Sequence, residues 1–164
     1  MYQRIVVPLD GSKLAECVLP HAETVAKGCG TEEVILVTVT ERIIASSGVT
    51  QLAQPPEMAP LLEPVLKVPV TVGKKQRQGE RYLNRIAKRL QKEGTKVRTE
   101  VLLGNPAEEI ASFADHNGAD LILMASHGRS GPSRWAYGSV TDKVFRATCV
   151  PVLMVRAPGC APGT

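Results

Sequence analysis

Continuous apolar runs alternate with amphipathic segments along this chain, and the alternation predicts its secondary structure. Apolar runs predict strands over residues 4–9, 33–39, 97–103, 121–124 and 150–155. The strand over 97–103 contains Arg98, Thr99 and Glu100, which suggest a more exposed edge of the sheet. Apolar residues at helical spacing predict helices after Ser12, over 71–93, from Pro106 and over 140–148. Asn105 is predicted to cap the helix that begins at Pro106, and Pro20 predicts a kink or a lost hydrogen bond in the first helix. Strands that are apolar throughout indicate a parallel sheet that is covered on both faces.

The order of these elements predicts the fold class. Strands that alternate with helices give right-handed crossovers, and hence a doubly wound, Rossmann-like α/β fold. We expect a parallel sheet of five strands in the order 3-2-1-4-5, with helices on both faces. A single domain is predicted over residues 1–157, with 41–69 as a long, partly mobile crossover insertion and 158–164 as a frayed tail.

Composition narrows the classes of function. The net charge of +4 and the pI near 9.0 fit an anionic ligand. Aromatic residues make up only 4% of the chain, which argues against stacking on single-stranded nucleic acid. The basic residues over 74–92 are interpreted as a solvated helix face, so nucleic acid is not expected as a partner.

Neither a membrane segment nor a secreted framework is indicated. No apolar run reaches the length of about 18 residues that a membrane span needs, and the first residues lead straight into a strand. The cysteines form no C-x-x-C pair. We therefore expect a cytoplasmic protein without membrane contact.

The loop between the fourth strand and the last helix is the candidate ligand site. It holds glycines, hydroxyls and arginines, and Ser139 is predicted to cap the next helix, with Asp142 three residues later. The first N–H groups of a helix are unpaired and favour anions, so the loop predicts a phosphate site. The strand order places it across a crevice from Asp10, which follows the first strand.

Common nucleotide and hydrolase motifs are absent. The chain has neither G-x-x-x-x-G-K-[ST] nor G-x-G-x-x-G after its first strand. Gly128-Arg129-Ser130-Gly131 lacks the spacing of a nucleophile elbow, and a hydrolytic pair of His127 with Ser130 is not favoured.

One longer pattern remains. The motif G-x2-G-x9-G-[ST] is matched by Ala125, Gly128, Gly138 and Ser139, with alanine at the first glycine. On this pattern, and on the stretches 5–12, 104–110, 120–131 and 151–155, the chain resembles the universal stress proteins of the nucleotide-binding subgroup. The resemblance covers nearly all of the chain except 41–69.

The resemblance implies roles for particular residues. Gly128 and Gly138 would let the backbone approach the phosphates, and Ser139 and Val140 would donate to them. Arg129 would screen their charge. The complete implied set of nucleotide-binding residues is Pro8, Asp10, Val39, Ala125, His127, Gly128, Arg129, Gly138, Ser139 and Val140.

Asp10 and Val39 are the implied contacts for the rest of the ligand. Asp10 would lie near the ribose or the adenine, and Val39 would line the adenine pocket with apolar contact and backbone hydrogen bonds. Ala125 departs from the motif. If that position needs a positive φ, alanine costs on the order of 1 kcal/mol; if it needs only room near the ribose, a methyl is tolerated.

The resemblance further implies an adenine nucleotide as ligand, most directly ATP, and a role as a stress or signalling switch with at most slow hydrolysis. Any hydrolysis is expected to use Mg²⁺ with water. A homodimer is expected through the strand over 150–155, because an apolar edge strand needs a partner. The alternatives are an AMP- or cAMP-binding protein, a nucleotide-free dimeric scaffold and a weak ATPase.

Overall fold

The computed structural model describes residues 2–40, 70–92, 94–127 and 138–156. The predicted crossover over 41–69, the tail over 158–164, and the loop residues Gly128 and Arg129 lie outside the described residues.

The sheet has the predicted order. Its strands are β1 (Arg4–Pro8), β2 (Glu33–Thr40), β3 (Val97–Leu103), β4 (Leu121–Ala125) and β5 (Val152–Val155). All neighbours pair in parallel, in the order β3-β2-β1-β4-β5. The doubly wound prediction is confirmed, and the strand order reverses between β1 and β4.

Helices cover both faces of the sheet. A 3-10 helix (Ala15–Val18), α1 (Leu19–Cys29) and α2 (Val70–Lys92) lie on one face; α3 (Pro106–His116) and α4 (Ser139–Ala147) lie on the other. Each face has its own core cluster, because successive strand residues point to opposite sides. Val7 and Leu36 belong to the first cluster, and Val6 and Ile35 to the second.

Proline and asparagine decide how two helices begin. The sequence predicts a kink or a lost hydrogen bond at Pro20 within one helix; instead the chain forms the short 3-10 helix first, and α1 begins at Leu19, which leaves Pro20 in its first turn. Proline is tolerated there because that N–H has no partner in a helix. Asn105 caps α3 as predicted, with its side-chain oxygen accepting from the Ala107 N–H at 3.1 Å.

The predicted cap of α4 is wrong. Gly138 occupies the N-cap position without a side-chain hydrogen bond, and Ser139 is the first helical residue. Asp142 forms an ion pair with Arg146 at 3.1 Å, one turn further along the helix. The fifth strand also begins later than predicted, at Val152. Pro151 before it accepts a hydrogen bond from the Ile122 N–H through its carbonyl, but as a proline it has no N–H to donate to the sheet.

Candidate functional site

A cavity of about 580 Å³ opens at the carboxyl ends of β1, β2 and β4, at the point where the strand order reverses. Its walls are the residues after β1, the end of β2, the end of β4 with the start of α4, and one side of α2. Eight of the ten residues predicted from the sequence line it: Pro8, Asp10, Val39, Ala125, His127, Gly138, Ser139 and Val140.

The end of β2 presents an unpaired backbone edge to this cavity. The pairing of β1 with β2 ends at Pro8 and Val37, and the Leu9 N–H donates to the Val37 carbonyl at 2.8 Å. Backbone groups alternate along a strand, so Val39 faces the same side as Val37. Since β1 has already ended, no strand among the described residues pairs with Val39 on that side, while β3 lies on its other side. Its N–H and C=O are one donor and one acceptor at the wall of the cavity.

A tight turn holds Asp10 at the next wall. The Ser12 N–H donates to Asp10 Oδ1 at 2.9 Å, and Gly11 has a φ of 85°, which favours glycine. Ser12 Oγ in turn accepts from the Ala15 N–H at 3.1 Å, so the chain after β1 enters the 3-10 helix directly. The turn therefore fixes a half-buried carboxylate beside the cavity.

Three hydrogen bonds fix the end of β4 against its neighbours. The Ser126 N–H donates to the Val155 carbonyl at 2.7 Å, and the Gly138 N–H donates to the Ser126 carbonyl at 2.8 Å. Thr141 Oγ1 donates to the Ala125 carbonyl at 3.1 Å. The start of α4 is thus held directly over the end of β4.

Limited space, rather than an unusual conformation, favours glycine at position 138. Its φ of −54° suits any residue, but a Cβ would lie 3.1 Å from the Ser126 carbonyl oxygen. The Gly138 N–H already donates to that carbonyl, so Gly138 has no backbone donor left for a ligand. The backbone donors for a phosphate, which the resemblance implies at this glycine, are therefore sought in the residues that follow it.

The first turn of α4 supplies the donors. The Asp142 N–H makes the first helical hydrogen bond, to the Gly138 carbonyl at 3.0 Å. The N–H groups of Ser139, Val140 and Thr141 precede that first donor, and therefore they have no acceptor within the helix. All three residues line the cavity, where the helix dipole also favours an anion.

Ala125 causes no backbone strain. It lies in β4, paired with Val155, so its backbone is extended. The sequence leaves open whether the motif needs glycine at this position for a positive φ or only for room near the ribose. The extended backbone excludes the first explanation, and the second remains. The methyl group lines the cavity, and the side chain is almost fully buried.

His127 reaches the cavity beside a serine. Ser126 Oγ and His127 Nδ1 lie 3.0 Å apart, and both residues are buried. Which of the two atoms donates depends on the tautomer of the imidazole. Ser130, the other half of the hydrolytic pair that the sequence does not favour, lies outside the described part of the chain.

Helix α2 forms a wall that the sequence analysis missed. Its residues Lys75, Gln78, Gly79 and Tyr82 line the cavity. A Cβ on Gly79 would lie 2.9 Å from Thr38 Cγ2, so the glycine lets α2 approach β2 closely. The sequence did contain a signal for this wall. A glycine in the interior of an amphipathic helix costs about 1 kcal/mol relative to alanine, so its presence indicates a close approach to another element.

Tyr82 is a protonated phenol at this wall. Burial raises the pKa of Tyr82 well above its usual range, and the negative charge of Glu16 adds to the shift. The guanidinium of Arg85 lies 5.5 Å from the ring centroid and also contacts Glu16 at 3.2 Å. These contacts hold the ring in place against the cavity.

A second depression lies at the other end of the sheet, with a volume of about 640 Å³. Asp120 lines it, but its carboxylate already accepts from the N–H groups of Gln3 and Arg4, at 2.7 and 2.9 Å. These bonds stabilise the charged form and lower the pKa of Asp120. That carboxylate joins β1 to the start of β4, which is a structural role.

The described ranges, 2–40, 70–92, 94–127 and 138–156, hold no group of three or more His, Cys, Asp or Glu residues that could bind a metal ion. None of the described helices is long and apolar enough to cross a membrane.

Comparison with known proteins gives a consistent relationship. Residues 1–156 match the family model described as the universal stress protein family. The universal stress protein MJ0577 of Methanocaldococcus jannaschii is 34% identical over 161 residues, which cover 95% of this chain and 96% of that protein. MJ0531 of the same organism is 31% identical over 161 residues, which cover 96% of this chain and 84% of that protein.

Solved structures agree with the sequence relatives. The structure of MJ0577 superposes with a TM-score of 0.74 at 30% identity, covering 97% of this chain and 99% of that one. A universal stress protein in complex with cAMP superposes with a TM-score of 0.62 at 21% identity, covering 95% and 98% of the two chains. The second likeness, at that identity, concerns the fold alone.

Proposed function

This chain belongs to the universal stress protein family, and we propose that it binds an adenine nucleotide, ATP first, in the crevice between β1 and β4. Binding, rather than turnover of a metabolite, is its proposed mode of action, as a stress or signalling switch. The observation that carries the proposal is the pairing of two features in one cavity: the unpaired edge of Val39 and the three N–H groups at the start of α4.

The base is proposed to lie against the end of β2. The Watson–Crick edge of adenine offers one acceptor, N1, beside one donor, the N6 amino group. The N–H and C=O of Val39 are complementary to that pair. Val37, Met124 and Ile110 supply apolar surface in the same cavity.

The sugar and the phosphates are proposed to follow across the crevice. Asp10, fixed by its turn, is placed to accept from ribose hydroxyls. The phosphates then meet the N–H groups of Ser139, Val140 and Thr141 at the positive end of the α4 dipole. Gly128 and Arg129 keep their proposed roles from the resemblance, as part of the loop that joins β4 to α4.

The cavity argues against the nucleotide-free scaffold as the main function. With Ala125 in place of the motif's first glycine, it still measures about 580 Å³, within the range of ligand pockets. Mg²⁺ would be held chiefly by phosphate oxygens, as is common for that ion, because the described residues supply no metal cluster. It would neutralise phosphate charge and support any slow hydrolysis.

A homodimer through β5 belongs to the same proposal. Val152–Val155 is an edge strand of the sheet, and Leu153 on it is 42% exposed. An apolar edge strand with free backbone groups favours pairing with another strand. The cytoplasmic location remains a prediction from the sequence.

The test is direct. Purified protein is denatured, and the supernatant is chromatographed for released nucleotide. The ligand-free protein is then titrated by calorimetry with ATP, AMP and cAMP, and with GTP as the control for the base. We expect ATP to bind and GTP to bind at least tenfold more weakly, because guanine reverses the donor and acceptor at its edge. No released nucleotide, and no binding of any of the four, would refute the proposal.

A further inference from the structure

The positive charge of this protein is concentrated on α2. The helix contains eight lysines and arginines and one glutamate, a net charge of +7, whereas the whole chain carries +4; the remaining residues therefore carry −3. The eight cations are Lys74, Lys75, Arg77, Arg81, Arg85, Lys88, Arg89 and Lys92, and all are exposed. This distribution explains the basic pI without any general excess of basic residues.

Six of these cations form one line. Lys74, Arg77, Arg81, Arg85, Lys88 and Lys92 follow each other at three or four residues, which places them on one side of the helix. We call them the basic stripe. The buried residues Leu83, Ile86, Ala87 and Leu90 lie on the opposite side, against the sheet. At a rise of about 1.5 Å per residue, the basic stripe is about 27 Å long.

Little of this charge is neutralised within the protein. Among the described residues, Arg85 is the one α2 cation that forms an ion pair, with Glu16 at 3.2 Å. Like charges one turn apart on a helix repel each other and destabilise it. The other five cations of the basic stripe form no ion pair within the part of the chain that the structure describes, and such a line is suited to an external polyanion.

From this arrangement we propose that the basic stripe is a docking surface for the phosphate backbone of double-stranded nucleic acid. A duplex carries one negative charge per about 1.7 Å of its axis, and cations that displace its counterions gain affinity without reading the sequence. The stripe would span about eight base pairs at 3.4 Å each. The sequence interpretation of a merely solvated face rested on the lack of aromatic residues, which bears on single strands and not on a duplex backbone.

The residues around the stripe favour a duplex over an anionic membrane. Helices that bind a membrane surface insert apolar side chains between the lipids. Over residues 73–92, where the burial of α2 is described, the exposed positions hold only charged residues, Gln78, Asn84 and Gln91, and the apolar side is packed on the sheet. The stripe therefore offers charge alone, in a line rather than a broad patch.

The proposal is tested with two triple variants of equal charge. In the first, Arg77→Gln, Arg81→Gln and Lys88→Gln remove three cations of the stripe. In the matched control, Lys13→Gln, Lys96→Gln and Lys143→Gln remove three exposed cations elsewhere. Both lower the net charge by three. Binding to a fluorescein-labelled DNA duplex of 20 base pairs is followed by fluorescence anisotropy between about 50 and 200 mM salt.

We expect the unaltered protein to bind this duplex with a Kd between about 10⁻⁴ and 10⁻⁶ M at physiological salt. The stripe variant should bind at least tenfold more weakly at the lowest salt, with a salt slope shallower by about 2 to 3. The control should lose less than threefold. Circular dichroism should be unchanged in both, and neither thermal midpoint should fall, because every altered side chain is exposed.

Three results would overturn the proposal: no duplex binding at the lowest salt, equal losses in the two variants, or tighter binding to phosphatidylserine vesicles or polyglutamate than to the duplex. A measurement of ATP affinity distinguishes failure of this proposal from failure of the nucleotide site in the crevice. None of the three stripe residues lines the cavity, so that affinity should be the same in both variants.

Discussion

At the scale of single residues, Ser139 shows how a position known only from a motif gains a physical role. The sequence places it at the cap of α4, whereas in the structure it is the first helical residue and lines the cavity. Gly138 before it has a ψ of 143°, the extended conformation that proline requires of its predecessor. Proline at this position should therefore leave α4 intact while it removes one donor.

This gives a matched pair of variants. Ser139→Pro removes the backbone N–H and the hydroxyl, and Ser139→Ala removes the hydroxyl alone. We expect Ser139→Pro to weaken ATP binding by about tenfold or more, as for one hydrogen bond to a charged group. Ser139→Ala should lose clearly less. Calorimetry gives the affinities and urea unfolding checks the fold; equal affinities in the two variants would show that this N–H does not contact the phosphates.

At the scale of elements, Asp120 ties the beginning of β4 to the beginning of β1. The N–H groups of Arg4 and Gln3 hydrogen bond to its carboxylate and lower its pKa from the ordinary value of 3.8. A group with a lowered pKa stabilises the folded state at all pH values above its unfolded pKa. That contribution is lost as the pH falls through the folded-state pKa.

Asp120→Asn should therefore lower the urea midpoint at pH 7, because a neutral amide oxygen is the weaker acceptor. Between pH 5 and pH 2 the midpoint of the unaltered protein should fall toward that of the variant. A gap between the two proteins that is constant across this range would contradict the assigned role of the charge.

The sequence predicts the elements well where the apolar pattern decides them. β3 has the predicted bounds, and the α3 start at Asn105 and Pro106 is correct, because cap and proline chemistry act locally. The α4 cap was predicted wrongly because space at Gly138 depends on the Ser126 carbonyl, twelve residues away. The α2 wall of the cavity was missed for the same reason: Gly79 matters through Thr38, which is distant in sequence.

At the scale of the whole molecule, the exposed edge at β5 is the surface through which we propose that two copies associate. Leu153 on this edge and Phe145 on α4, which is 62% exposed, are both large apolar side chains at the surface. They offer a comparison between the strand edge and a helix. If β5 pairs with a second copy, a charge on the strand should prevent pairing, and the same charge on α4 should not.

Leu153→Lys should shift the protein from dimer to monomer in sedimentation velocity at micromolar concentration, and Phe145→Lys should remain dimeric. Both substitutions add one positive charge at an exposed site, so net charge is controlled. A monomeric unaltered protein, or the same state in both variants, would contradict an interface on the β5 edge.

The peptide groups of Ser126 have a consequence for how such a molecule responds. The N–H of this residue is bonded to β5, at Val155, and its carbonyl is bonded to Gly138, at the mouth of the crevice. One buried residue thus belongs both to the outer strand and to the anchor of α4. A shift of β5 and a shift of the start of α4 would therefore both act on the backbone of Ser126. If the proposed ligand in the crevice and the proposed pairing at β5 are coupled through this residue, thermodynamic linkage makes the coupling equal in both directions: ligand binding would change the affinity between strand edges, and association would change the ligand affinity by the same factor.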